Sequence, residues 1–344
     1  MSAASAPRVI FRADASPEIG SGHVMRCQAL AEALRARGAV CEFNGDWPHF
    51  KNGANPHFLV VDHYGLDRRW EEAQRAAVDR IMVIDDLADR PHDCDLLLDQ
   101  NLGSTPADYE GLVPADCELL CGPEFALLRP EFARLRQRSL EGRAGRPLSN
   151  ILVSMGGADK DNATGRVLDA LGDWASGSNL PGDLAVTVVM GSMAPWIEQV
   201  RAQAEKLQSS AGLIIEVAVD VADMAERMAA SDFAIGAAGG TSWERCCMGL
   251  PSALAVLADN QAKPCRELVA AGAAFALGAP GDIIETLPPL LDTLMHEPAR
   301  LAEMSAAAAA ICDGRGAERV AARLLAEHGR PDAHHGRRSL DQGA

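Results

Sequence analysis

Aromatic residues are scarce in this chain, at 4% of 344 residues, with only two tyrosines. A platform for stacking the bases of single-stranded nucleic acid is therefore not expected. Positive charge is also short. Thirty-two Lys and Arg face 48 Asp and Glu, a formal net charge of −16. Nonspecific binding to DNA, RNA or an anionic membrane needs basic patches, so neither nucleic acid nor membrane is expected as a partner. An anionic small ligand stays open, because helix N-termini and a few basic residues can hold one locally. No apolar run approaches the length of a membrane span. The first residues, Met-Ser-Ala-Ala-Ser-Ala-Pro, lack the basic-then-apolar pattern of a secretory signal. The nine cysteines form no CxxC pair; Cys246 and Cys247 are adjacent, and Cys117 and Cys121 have no matching His or Cys group. Buried thiols in a reducing, cytoplasmic compartment fit this better than disulfides or a zinc site.

What is present is apolar and alternating. Hydrophobic residues make up 48% of the chain, enough to fill two cores. Short apolar runs such as Phe58 to Asp62, Ile81 to Ile84, Ile151 to Met155 and Val186 to Met190 read as strands buried on both faces. Between them lie stretches with helical spacing, including Val24 to Arg37, Arg68 to Val78, Asn162 to Trp174 and Gln261 to Ala271. The pattern predicts an α/β chain of two doubly wound, Rossmann-like parallel-sheet domains facing a cleft. Residues 1–140 form the first domain and 150–329 the second. The basic, Gly- and Pro-containing stretch Ser139 to Ser149 is the expected linker. Residues 330–344 are polar without a period and are expected to be disordered; His334-His335 is read as tail composition.

Ligands bind such sheets at the C-terminal ends of the strands, and the chemistry-bearing residues cluster there. Ile19 to Arg26 links strand one to the first helix, with Gly20 and Gly22 allowing a tight turn and His23 at the helix mouth. Such a turn can hold an anion and move a proton; the plainer alternative is a tight turn with a solvated His. Asp14 follows the same strand, and Tyr64 ends the strand Phe58 to Asp62 beside His63. In the second half, Ser154 to Asp159 contains Gly156 and Gly157, and Gly236 to Glu244 contains Gly239, Gly240, Thr241 and Ser242. Both turns follow a strand and open a helix, so their N–H groups and the Thr241 and Ser242 hydroxyls could cradle a diphosphate. Glu244 could accept two hydrogen bonds from a ribose or simply complement a helix dipole. Neither turn is a P-loop or a GxGxxG, so no nicotinamide site is signalled. Asn260 and Gln261 point to the same mouth. The acidic group Asp85, Asp86, Asp89, Asp93, Asp95 and Asp99 matches no calcium loop and reads mostly as solvated loops with a helix cap.

These segments, with Arg12-Ala13-Asp14, Val61 to Gly65 and Asp108 to Leu112, resemble in order the UDP-sugar hydrolases of bacterial pseudaminic acid biosynthesis. The resemblance runs from about Arg8 to Gly278. It implies a GT-B fold, similar to that of the peptidoglycan N-acetylglucosaminyltransferase. It implies removal of UDP from UDP-2,4-diacetamido-2,4,6-trideoxy-β-L-altropyranose by water, with inversion and without metal or cofactor. His23 matches the essential His; Tyr64 and Asn260 match polar residues near sugar and phosphate. Glu244 matches the ribose-binding acid, and Gly239 to Ser242 the diphosphate loop.

The residue types suit that reaction. Inversion needs a base opposite the leaving group with room for one water, and an imidazole, with a reference pKa near 6.5, is neutral enough at pH 7 to serve. Backbone N–H groups can absorb the charge of a departing UDP. One departure stands out. Only 41 residues separate His23 from Tyr64, where the resemblance leads one to expect about 20 more, roughly one strand-helix unit; the polar stretch 44–56 is too short to supply it. The alternatives are a GT-B glycosyltransferase using a UDP-sugar donor and a non-catalytic nucleotide-sugar binder.

Overall fold

The computed structural model describes residues 6–13, 22–43, 55–143, 145–177 and 184–326. Asp14, Gly20, most of 44–56 and the tail with His334-His335 lie outside the described residues.

Two six-stranded, wholly parallel sheets organise the molecule. The first contains β1 (Arg8–Ala13), β2 (Val40–Phe43), β3 (Phe58–Asp62), β4 (Arg80–Ile84), β5 (Leu96–Asp99) and β6 (Glu118–Cys121). Its order is β2-β1-β3-β4-β5-β6. The strands are continuous apolar runs because both faces are covered: β3 is buried at every residue. On one face lies α1 (Gly22–Arg35), which buries Cys27, Leu30, Ala31 and Leu34 against Val9, Phe11 and Val60. Each fully buried leucine there contributes roughly 2 kcal/mol. On the other face, α2 (Arg68–Gln74) starts at an Asp67 cap whose side chain accepts the N–H groups of Arg69 and Trp70. It ends four residues before the expected Val78.

After α3 (Pro130–Arg143), the second sheet contains β7 (Asn150–Ser154), β8 (Ala185–Met190), β9 (Ile214–Val219), β10 (Phe233–Ala237), β11 (Ser252–Ala255) and β12 (Ala274–Gly278), in the order β12-β11-β10-β7-β8-β9. It is covered by α4 (Ala163–Gly177), α5 (Ile197–Ala211), α6 (Met224–Ala230), α7 (Thr241–Cys247), α8 (Ala262–Ala270), α9 (Ile283–His296) and α10 (Pro298–Ile311). The last helix, α11 (Gly316–Ala326), returns to the first sheet, where Ala317, Val320, Ala321 and Leu324 join the core around α1. The chain thus crosses between the units twice, and the first unit's core includes residues far beyond 140.

Three elements depart from the sequence reading. The expected linker at Ser139 is helix as far as Arg143, because α3 docks on the second unit by hydrogen bonds beyond the short apolar contact of Phe132 and Leu135. Arg136 donates to the carbonyls of Cys247, Ala309 and Cys312, and Arg143 to those of Met228, Ser231 and Met248. Strand β12 extends the second sheet at a place where no strand was expected. The acidic group is not mainly solvated. Asp85 and Asp99 are buried and share the Tyr109 hydroxyl, at 3.2 and 3.1 Å. Asp93 and Asp95 clamp Arg75 at 2.7 and 2.6 Å. Buried carboxylates require such partners. All nine cysteines are unpaired thiols, seven of them buried. Among the described residues no helix is long and apolar enough to cross a membrane, and no group of three or more His, Cys, Asp or Glu could hold a metal ion.

Candidate functional site

Each sheet reverses its strand order once, and a crevice opens at such a reversal. In the first sheet the reversal is at β1, flanked by β2 and β3, with Ala13 opposite Asp62. In the second it lies between β10 and β7, with Gly236 opposite Ser154. The two crevices face each other across one cleft of about 390 Å³, within the range of small-molecule sites.

Charged side chains form the first wall. His23 lies in the first turn of α1, nearly buried, and its Nδ1 hydrogen-bonds Asp62 at the end of β3. Asp62 is fully buried and also receives both Nε and Nη2 of Arg26, each at 2.6 Å. Burial opposes the Asp62 carboxylate, but the charge and hydrogen bonds of Arg26, with the hydrogen bond from His23, hold its pKa below the usual carboxylate range. Arg26 reaches on to Asp86 at 3.3 Å, and the Tyr64 hydroxyl donates to the same Asp86 oxygen at 3.2 Å. The Tyr64 ring stands edge-on to His23, with centroids 4.7 Å apart. Burial, then the Asp86 charge, push the Tyr64 hydroxyl well above its ordinary pKa, so at neutral pH it is a hydrogen-bonding group and not an anion.

Backbone forms most of the second wall. The turns after β7 and β10 bring Gly156, Gly157, Gly239, Gly240 and Thr241 to the cleft. Gly156 has φ +93°, a conformation that favours glycine. Asp159 caps the start of α4 by accepting the N–H groups of Ala163 and Thr164, at 2.8 and 3.0 Å, and so fixes the end of the first turn. Gly191 approaches that turn so closely that a Cβ would sit 2.4 Å from the Gly157 carbonyl oxygen. Glu244 lines the cleft, with Arg129 4.0 Å away. Burial pushes its carboxyl up to about 7, while Arg129 and Arg245 pull it the other way.

The walls touch. Asn260 Nδ2, from the loop after β11, donates to the Tyr64 hydroxyl at 3.1 Å, and Lys263 Nζ donates to Asp108 at 3.1 Å. His23, Tyr64, Asn260, Gly22, Gly156, Gly157, Gly239, Gly240, Thr241 and Glu244 therefore line one cleft. Ser242 does not. Its hydroxyl turns inward and accepts from Arg245 at 2.9 Å. His63 also stays outside the lining, its Nδ1 accepting the Gly65 N–H. Asp62, Arg26, Asp86, Arg129 and Gly191 belong to the cleft or its support; Arg26 and Asp62 entered the sequence reading only as members of their motifs, Asp86 as part of an acidic group read as solvated, and Arg129 and Gly191 not at all. The one usable signal was Asp62, a carboxylate closing an otherwise apolar strand.

Residues 151–323 match the glycosyltransferase family 28 C-terminal domain. The chain belongs to that family. The chain is similar to the UDP-2,4-diacetamido-2,4,6-trideoxy-beta-L-altropyranose hydrolase of Campylobacter jejuni, 27% identical over 230 residues, covering 61% of this chain and 78% of the relative. It is also similar to a UDP-N-acetylglucosamine–N-acetylmuramyl-(pentapeptide) pyrophosphoryl-undecaprenol N-acetylglucosamine transferase of Xanthomonas axonopodis. There the identity is 34% over 137 residues, covering 38% of this chain and 32% of the relative. Among solved structures, Acinetobacter baumannii MurG superposes with a TM-score of 0.66 at 16% identity, over 94% of this chain and 100% of that one. The family 28 architecture here is GT-B-like, two parallel-sheet units facing a cleft.

Proposed function

We propose that the protein hydrolyses a UDP-sugar, UDP-2,4-diacetamido-2,4,6-trideoxy-β-L-altropyranose, to UDP and the free sugar with inversion. The observation that carries this reading is the His23–Asp62 pair facing two glycine turns across one cleft. Asp62 accepts the Nδ1 proton of His23, which leaves the Nε2 lone pair as a base. A water beside Nε2 gives up a proton as its oxygen bonds to the anomeric carbon. The bond from that carbon to the phosphate oxygen breaks on the opposite face, and its electron pair leaves with UDP. N–H groups of the turns at Gly156–Gly157 and Gly239–Thr241 receive the growing diphosphate charge, and Glu244 accepts the ribose hydroxyls. Tyr64 and Asn260 hold the sugar near the leaving oxygen; Asp14, Gly20 and Gly22 are substrate-binding residues in the same reading. The name of the Campylobacter relative supports the substrate, and the nine unpaired thiols support a reducing, cytoplasmic setting.

A second reading is a transferase that passes the sugar to an acceptor hydroxyl, favoured by the 34% identity to the Xanthomonas transferase over 137 residues. UDP release from the proposed substrate, with metal and acceptor withheld, separates the two. Hydrolysis predicts steady release by the wild type and a fall of roughly 10²–10⁴-fold in His23→Ala, with UDP affinity retained. Release only after an acceptor is added would favour the transferase. Binding of the substrate with no difference in turnover between wild type and His23→Ala would leave a nucleotide-sugar binder.

A further inference from the structure

Arg245 is a buried cation that the proposed chemistry does not use. It lies in α7, is 2% exposed, and has no carboxylate among its hydrogen-bond partners. Nη2 donates to the carbonyl of Ala237 at 2.6 Å and to the Ser242 hydroxyl at 2.9 Å, and Nε is buried with no partner at all. Burying a guanidinium with no carboxylate hydrogen-bonded to it, and with only the charge of the neighbouring Glu244 to favour it, is costly, and replacing such a group by an apolar one often stabilises a fold. Its position gives the reason for keeping it. Nη1 lies 2.3 Å from where a Cβ of Gly236 would stand, and the Ser154 carbonyl is 2.7 Å from the same point. The guanidinium therefore lies against the paired ends of β7 and β10, directly behind the two glycine turns.

The cleft lining itself is a poor host for an anion. Asp86, Asp220 and Glu244 line it, while Arg26 is committed to Asp62 and Arg129 is shared between Glu131 at 3.1 Å and Glu244 at 4.0 Å. Backbone dipoles alone would have to overcome that field. We infer that Arg245 is a fixed counter-charge for the diphosphate, acting from behind the turns without touching the ligand. It is a positioning and electrostatic residue, and the inference rests on the nucleotide-binding reading above. Burial pushes its guanidinium down to about 10, which still leaves it charged at neutral pH.

The test measures the affinities of the full chain for UDP and for uridine, which differ only in the diphosphate. Three variants are compared with wild type. Arg245→Met removes the charge. Arg245→Gln removes it but keeps an N–H donor toward Ala237 and Ser242. Arg245→Lys keeps it. In both neutral variants UDP affinity falls by about tenfold, the scale of one charge acting across roughly 12 Å at an effective dielectric constant of about 20. Uridine affinity falls less than UDP affinity in the same variants, because the Arg245 charge reaches uridine only through Glu244, and Arg245→Lys restores most of the UDP preference. Should Arg245→Met not fold, Arg245→Gln carries the same comparison. Equal losses for UDP and uridine would make Arg245 a structural support and overturn the inference, as would no loss for either. A wild type that binds neither ligand would instead sink the nucleotide-binding reading, and the inference with it.

Discussion

The two walls of the cleft do their work with opposite materials. The first wall is built from side chains: an imidazole, two carboxylates, a guanidinium and a phenol in one hydrogen-bonded chain from His23 through Asp62 and Arg26 to Asp86 and Tyr64. The second is built around backbone: two glycine turns at the ends of adjacent strands, with the carboxylates of Asp220 and Glu244 beside them. The difference matches two tasks. Moving a proton needs a group whose protonation can change and a partner that fixes its tautomer. Holding a diphosphate needs many fixed donors and little reorganisation. Damage to one wall should therefore leave the other wall's task intact.

Asp62→Asn gives the largest separation. The amide cannot hold His23 in the required tautomer, so turnover drops by roughly 10²–10⁴-fold. It also leaves Arg26 short of its buried counter-charge, at a cost of about 3–5 kcal/mol in stability. Denaturant melts check the second effect, and UDP affinity, measured by calorimetry below the melting range, stays at the wild-type value. The converse variant is Gly191→Ala. Its Cβ would press on backbone of the first glycine turn, 2.4 Å from the Gly157 oxygen and 2.8 Å from its Cα, where nothing can move aside without shifting the turn. Overpacking of this kind costs about 1–3 kcal/mol, so UDP affinity falls by roughly five- to 100-fold. Turnover at saturating substrate is much less affected; a loss of turnover with full UDP affinity would reverse the assignment of the walls.

The smallest effect sharpens the edge of the second wall. Glu244 titrates at about 7 when the cleft is empty. Only its ionised form accepts both ribose hydroxyls, so binding favours proton loss. Affinity therefore rises as the pH passes upward through 7 and falls below it. Between pH 6 and 8 the rise is about tenfold, the change in ionised fraction of a group with that midpoint. Uridine is the ligand to use, having no phosphate to titrate. Glu244→Gln binds uridine more weakly at pH 8 and shows a flat profile; a sloping profile in that variant would remove Glu244 from the ribose contact.

Much of this arrangement was legible in the residues. Strands such as Phe58 to Asp62 and Ile151 to Ser154 are continuous apolar runs because both faces are covered, and their alternation with helical spacing gave the two sheets. The glycine turns and His23 followed from placing polar residues at strand ends. What was missed is held by polar contacts that leave no period. Helix α3 buries only Phe132, Ser139 and Arg143, so its basic sequence read as linker although Arg136 and Arg143 tie it to six carbonyls. Asp86 and Arg26 are ordinary surface types until the fold brings them within 3.3 Å of each other across 60 residues of chain. Ser242 read as a ligand hydroxyl because Arg245, three residues on, gave no sign of being turned inward to meet it.

Hydrolysis in water enriched in ¹⁸O tests the division of labour most directly. If His23 delivers water to the anomeric carbon while the second wall holds the leaving diphosphate, the label enters the sugar hydroxyl and none enters UDP. Label in the terminal phosphate of UDP would mean that water attacks phosphorus, and that the first wall does not house the attacking base.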